Sequence, residues 1–248
     1  MTSPYPMIGN GLGQPQGIWD VTTSAEHRVG TRGFLDDGRV FYYSRAVSAT
    51  PIVAGNVLQR ELTSVDWDNV AVNTALAGDT SLLITPDGTK TYTANELSEG
   101  YVIVDTSTGI GKIYKIKSHA AVTAATEFEC FLYDAIHVGF ASGTTVTVIK
   151  NSYMDPIVAS NTVAYLAVGV SNVAVPDGSS AAQYFWTQTW GMAAVTSGAT
   201  SASGALLMVD TTTAGETLVA TAGIQTIGVN IFTSANATAC PVYLQIAP

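Results

Sequence analysis

The sequence predicts an all-β protein: a sandwich or barrel of about a dozen short strands, an extended N-terminal arm and almost no helix. Three observations carry this. The 248 residues include 32 Thr and 26 Val, β-branched types that pack well on a pleated sheet. Strand-length apolar runs alternate with Gly, Pro, Asn and Asp turn signals. The one helix-start signal, the capping box Thr93-Ala-Asn-Glu96, meets Gly100 after no more than one or two turns.

Residues 1–37 read as the arm. Pro4, Pro6 and Pro15 remove backbone donors and disfavour helix. Gly9-Asn-Gly-Leu-Gly13 follows no strand and precedes no helix pattern, so it is a linker rather than a nucleotide loop. Tyr5, Ile8, Leu12, Ile18 and Trp19 are spaced apolar residues on a segment that cannot fold alone. They suit a strap laid on a neighbouring subunit or shell. On this reading, deleting residues 1–20 leaves melting nearly unchanged and weakens attachment.

A β domain is expected over 38–155. Arg39–Ala46 is aromatic and strand-length after the Asp37-Gly38 turn. Leu82–Thr85 and Lys90–Thr93 flank Pro86-Asp-Gly88 and read as a hairpin. Tyr101–Asp105 and Lys112–Lys117 flank a Gly-bearing loop and read as another; strands at Glu127–Tyr133 and Thr144–Ile149 follow. The polar connector Asn151–Asn161 marks a boundary, and a second, charge-poor β domain is expected over 156–248. Its strands are read at Val163–Val170, Gln183–Trp190, Met192–Val195, Ala205–Val209, Gln225–Phe232 and Ala239–Ile246.

Charge narrows the function. The net charge is −9, and all ten Lys and Arg lie before residue 151. Residues 151–248 carry only Asp155, Asp177, Asp210 and Glu216. No stretch has the basic footprint of a nucleic-acid binder. The uncharged run between Asp155 and Asp177 is broken by Pro156 and Pro176 and is not read as a membrane span. Met-Thr-Ser-Pro-Tyr-Pro has neither the basic start nor the apolar core of a secretory signal. A surface this poor in charge is expected to be covered by a partner.

No chemistry-bearing motif stands out. His27, His119 and His137 are scattered, and Asp66-Trp-Asp68 is an isolated acidic pair, so neither metal nor cofactor is expected. GxSxG is absent, and no catalytic role is expected. Cys130 and Cys240 read as buried free thiols, with a disulfide left open. Tyr184-Phe-Trp-Thr-Gln-Thr-Trp190 is the densest aromatic run. In a regular strand Tyr184, Trp186 and Trp190 share one face, either in the core or as a stacking ridge.

Four segments occur in an order that carries a family resemblance: Arg39–Ala46, Ala94–Tyr101, Gly111–His119, and Val168-Gly-Val followed by Tyr184–Gly191. Over 39–248 the chain resembles virion structural proteins of tailed bacteriophages, in particular head-decoration or cement proteins. The resemblance implies a β-rich protein on the outer capsid surface, made in the host cytoplasm. It implies the major capsid protein as partner, with self-association, and a role in locking capsomers together. A tail, baseplate or fibre component, or a carbohydrate-binding β module, is the alternative.

Overall fold

The computed structural model describes residues 4–7, 16–61, 67–88, 91–124, 126–161, 166–221 and 223–248. These residues contain no α-helix, and so none that could cross a membrane. The chain folds as two units, Met1–Glu61 with Ser152–Pro248, and Leu62–Asn151. In chain order, the first unit opens with β1 (Arg32–Phe34), β2 (Val40–Ala46) and β3 (Val57–Gln59). The second unit comprises β4 (Val70–Val72), β5 (Ser81–Thr85), β6 (Tyr101–Val104), β7 (Ile113–His119), β8 (Phe128–Leu132) and β9 (Thr145–Ile149). The first unit resumes with β10 (Ile157–Val158), β11 (Ala167–Ser171), β12 (Gln183–Ser197), β13 (Leu206–Val209), β14 (Thr217–Val219), β15 (Thr226–Asn230) and β16 (Thr238–Gln245).

The two units divide after Glu61 and after Asn151, so residues 38–61 group with the C-terminal segment and not with the segment that follows them. β2 pairs with β12 from Gln183↔Ala46 to Trp190↔Val40, and β3 pairs with both β10 and β11. These long-range ladders draw the early strands into the C-terminal unit. A linear reading of turns and charge contains no information about such pairing.

The second unit is a closed barrel in the order β4-β5-β8-β7-β6-β9. Alternation along each strand sends one set of side chains inward. Leu82, Ile84, Val102, Val104, Ile116, Cys130, Val146 and Val148 fill the interior. The β6–β7 hairpin forms as expected, with Ile103 opposite Ile113 and Gly109 at φ 90° in its loop. The expected hairpin of 82–85 with 90–93 is not formed among the described residues, Lys90 lying outside them. β5 lies between β4 and β8, and Tyr92 bridges to Val122 instead. A Pro-Asp-Gly turn signal reverses the chain locally but does not choose the partner strand. The capping box is real: Glu96 Oε2 accepts from Thr93 N and Oγ1, both at 2.9 Å, and turns rather than a helix follow.

His119 braces this barrel. Its Nδ1 bonds the Ala120 carbonyl at 2.6 Å, so Nε2 is the acceptor for the Leu97 N–H at 2.8 Å. Burial pushes its pKa below the ordinary 6.5, against the raising effects of the Ala120 carbonyl and Glu96. Both ring nitrogens are thus committed to backbone.

The first unit is organised around β12, which is 15 residues long. Its first half lies between β2 and β11. Its second half pairs with β16 from Trp190↔Gln245 to Ser197↔Thr238. Ser197 also meets Thr217 of β14, which closes a ring β12-β14-β13-β15-β16. Val195, Leu207, Ile227, Val242 and Leu244 fill this ring. Both thiols are free and buried, Cys130 in the barrel and Cys240 in the ring. Burial pushes the Cys130 thiol up to about 12.

The N-terminal segment departs from the expected strap. Ile18 is fully buried with Phe41, Tyr43 and Trp186 of its own unit. Gln16, 1% exposed, is the tie. Its side chain donates to the Asp20 and Tyr184 carbonyls and accepts from Tyr43 Oη at 2.7 Å, while its carbonyl accepts from Trp186 Nε1 at 3.0 Å. Met7 pairs with Phe34, and Thr22 with Tyr184. Gly33 is required there, since a Cβ would sit 2.7 Å from Pro6 and 3.1 Å from the Trp186 ring. Burying one polar hub and one apolar anchor offsets the ordering entropy that an isolated arm cannot offset. Ile8 and Leu12 lie outside the described residues.

Trp186→Ala should destabilise the first unit by about 3–5 kcal/mol, as truncation of a fully buried ring does, read as a lower denaturant midpoint. Deleting residues 1–20 removes Gln16 and Ile18 and should lower the melting temperature; unchanged melting would return the segment to the role of a free strap. For His119, the unfolded chain takes up a proton below pH 6.5 that the folded barrel resists. Stability is therefore present above that value and is lost as pH falls through the depressed folded value, at up to about 1.4 kcal/mol per pH unit. Denaturant melts at falling pH should show this slope, and His119→Gln should flatten it.

Candidate functional site

The site grows from a break in β12. The register with β2 shifts between Gln188 and Trp190, and Gly191 follows at φ 83°. A Cβ at Gly191 would lie 3.1 Å from Arg39 Cγ, so the close approach of β2 and the left-handed backbone both favour glycine here. Before the break both faces of β12 are covered, and Phe185, Trp186, Thr187 and Gln188 are all fully buried. Beyond it only the inner face is covered.

The expected aromatic ridge is therefore divided. Trp186 is interior, and half-buried Tyr184 packs beside it, stacked on Tyr43 at 6.1 Å. Trp190 lies past the break and meets Tyr243 edge-on at 6.1 Å. The core role applies to Trp186; the outward aromatic pair is Trp190 with Tyr243.

On the outer face of the ring, backbone pairing aligns apolar residues in rows. Leu206 is opposite Val229, Val229 opposite Tyr243, and Tyr243 opposite Met192. Leu206, Tyr243 and Met192 are 51, 37 and 46% exposed. A second row runs Ile231–Pro241–Ala194, joined by the Ile231 N–H to the Pro241 carbonyl and the Ala194↔Pro241 pair. Strands β12 to β16 contain no charged residue; the ring's two acids, Asp210 and Glu216, flank the β13–β14 turn. Contiguous exposed apolar surface of this kind marks contact sites.

Beside the rows is an open socket of about 570 Å³, lined by Trp19, Arg39, Ala54, Gly55, Asn172, Met192, Ala193, Ala194, Ala239, Cys240 and Pro241. It sits where β12 has left β11 and the 54–55 turn approaches, with Thr196 N–H donating to the Gly55 carbonyl at 3.0 Å. Trp19, 49% exposed, stands at the rim. Of the residues proposed for partner contact, Trp19 and Tyr5 are exposed, and Ile18 is unavailable because it is in the core.

Arg39 is the socket's one cation. Its Nε donates to Asp37 Oδ2 at 2.8 Å and its plane lies 5.9 Å from the Phe41 ring. Slight burial of Asp37 raises its carboxyl, but bonds from the Arg39 backbone and guanidinium outweigh this and hold it below the usual range. Burial pushes the Cys240 thiol up, and its S–H bonds the Val195 carbonyl at 3.2 Å, so the thiol is protonated and occupied. The socket therefore offers shape, apolar contact and an aromatic rim rather than a reacting group.

Among the described residues no three of His, Cys, Asp and Glu converge on one point. Asp68 accepts from Thr147 Oγ1 at 3.1 Å, while Asp66 lies outside the described residues. Met192, Tyr243, Leu206 and Val229 were not singled out from the sequence, because they come from four different strands. Their signal is parity. Cys240-Pro-Val-Tyr-Leu is apolar at both odd and even positions, more than a half-exposed strand requires. The chain matches no family model, no curated protein and no solved structure.

Proposed function

We propose that the chain is a structural protein of a phage virion, a head-decoration protein that attaches to the outer capsid shell through the socket. It acts by contact, holding neighbouring capsomers, with the major capsid protein as partner and without cofactor or metal. The observation that supports this most is the socket itself: a largely apolar hollow whose one cation, Arg39, is held by Asp37, with a half-exposed tryptophan in its lining. Interface centres are depleted of charge and enriched in aromatic anchors. The charge-poor strands around it extend the same character.

Shells assembled without this protein provide the test. The purified chain should co-sediment with them at many copies per shell. Trp19→Ala and Ala54→Arg, both at exposed socket positions, should weaken binding at least about tenfold, some 1.4 kcal/mol, with melting unchanged. Localisation by electron microscopy to the tail alone, or binding to glycans with none to shells, would overturn the reading.

A further inference from the structure

We infer that Asp210 and Glu216, at the β13–β14 turn, form a binding site for a hard divalent cation, calcium in particular. The ion is structural. Neither residue lines the socket, and the inference does not depend on what the socket binds.

Strands β13 and β14 pair as far as Val209↔Thr217. The next pair outward is Asp210 with Glu216, the Asp210 N–H donating to the Glu216 carbonyl at 2.8 Å. The two acids therefore stand directly across the ladder, where like charges repel. Both side chains reach Gly198, just past the end of β12: a Cβ there would lie 1.8 Å from Asp210 Oδ2 and 3.0 Å from Glu216 Oε2. Gly198 is not among the left-handed glycines. Glycine is needed at this position for room, and the room it leaves is where two carboxylate oxygens converge.

Asp210 is fully buried. Its Oδ1 accepts from Thr212 N at 2.6 Å and from Thr212 Oγ1 at 2.7 Å, while its buried Oδ2 accepts no hydrogen bond. A buried carboxylate oxygen without a donor is costly, and a second carboxylate beside it adds to the cost. The chain's own cations do not offset this. Residues 151–248 hold no Lys, Arg or His, and no ion pair among the described residues reaches either acid.

A bound cation offsets both costs at once. The donors are all oxygen, which selects a hard ion over zinc or copper. Oxygens about 2.3–2.6 Å from a central calcium stand up to about 5 Å apart. Two atoms placed 1.8 and 3.0 Å from one point fall within that span. Asp210 offers one oxygen and Glu216 up to two, and the exposed residues 211–214 beside them admit water to the remaining positions. Calcium accepts such an irregular shell, whereas magnesium demands an octahedron. With only two carboxylates the dissociation constant is expected at the weak end for calcium, about 0.1–1 mM.

Titration calorimetry and thermal melts of the full chain provide the test, with the protein stripped by EDTA and then given calcium chloride or magnesium chloride. Calcium should bind once per chain and, at about 10 mM, raise the melting temperature by about 3 °C or more. Magnesium should raise it less. Asp210→Asn keeps an oxygen for Thr212 and gives Glu216 a donor, and Glu216→Gln alters a half-buried side chain. In EDTA each variant should melt at least as high as the parent, because the repulsion is gone. Each should bind calcium at least about tenfold more weakly. A parent that ignores both ions overturns the inference, as do two folded variants that answer calcium like the parent. Equal responses to magnesium and calcium would overturn the choice of ion.

Discussion

One strand serves different partners along its two halves, and the first unit is arranged around that constraint. β12 has to satisfy β2 and β11 along its first half and β16 along its second. A straight strand would keep one face inward throughout. The register shift after Gln188 and the left-handed Gly191 let it change neighbours without leaving its hydrogen bonds unmade. Everything assigned to the site follows from that change. Trp186 is sealed under the N-terminal segment, Trp190 emerges beside Tyr243, and the socket is the space between the departing strand and the 54–55 turn.

Sequence reading recovered elements better than their partners. The strands at 40–46, 101–104, 113–119, 128–132 and 145–149 stand where β-branched runs and turn signals place them. Short strands such as β3 and β14 carry too few residues to show a period and escaped notice. Met192–Val195 and Gln183–Trp190 were read as two strands but form one, since a glycine inside a strand looks like a terminator until its neighbours are known. Asp155 illustrates the limit well. Asp155-Pro156 marks the boundary from sequence alone, whereas its ion pair with Arg45 at 3.2 Å is visible only when β2 lies nearby.

The candidate site was legible only in part, for the same reason. Trp19 drew attention by being apolar on a segment otherwise unfit to fold, and it does stand exposed at the socket. Ile18, its neighbour, drew the same attention and proved to be core. Sequence distinguishes an apolar residue from a polar one but not an anchor turned inward from one turned outward. The absence of Lys and Arg after residue 150 is the broader signal, because it is read from composition and does not depend on register.

The way the barrel closes has a kinetic consequence. Its first and last strands, β4 and β9, are paired, with Val70 opposite Val146. The strands that flank the insertion in sequence, β3 and β10, are likewise paired, with Gln59 opposite Ile157. In an unfolded chain, joining β3 to β10 means closing a loop that includes the whole intervening segment, and the entropy lost grows with loop length. Once the barrel has closed, its own ladder has already drawn the two ends together, and the remaining loop is short. Barrel closure therefore lowers the entropic barrier to pairing β3 with β10. The reverse order would make the first unit bear the full loop penalty before any barrel contact repaid it.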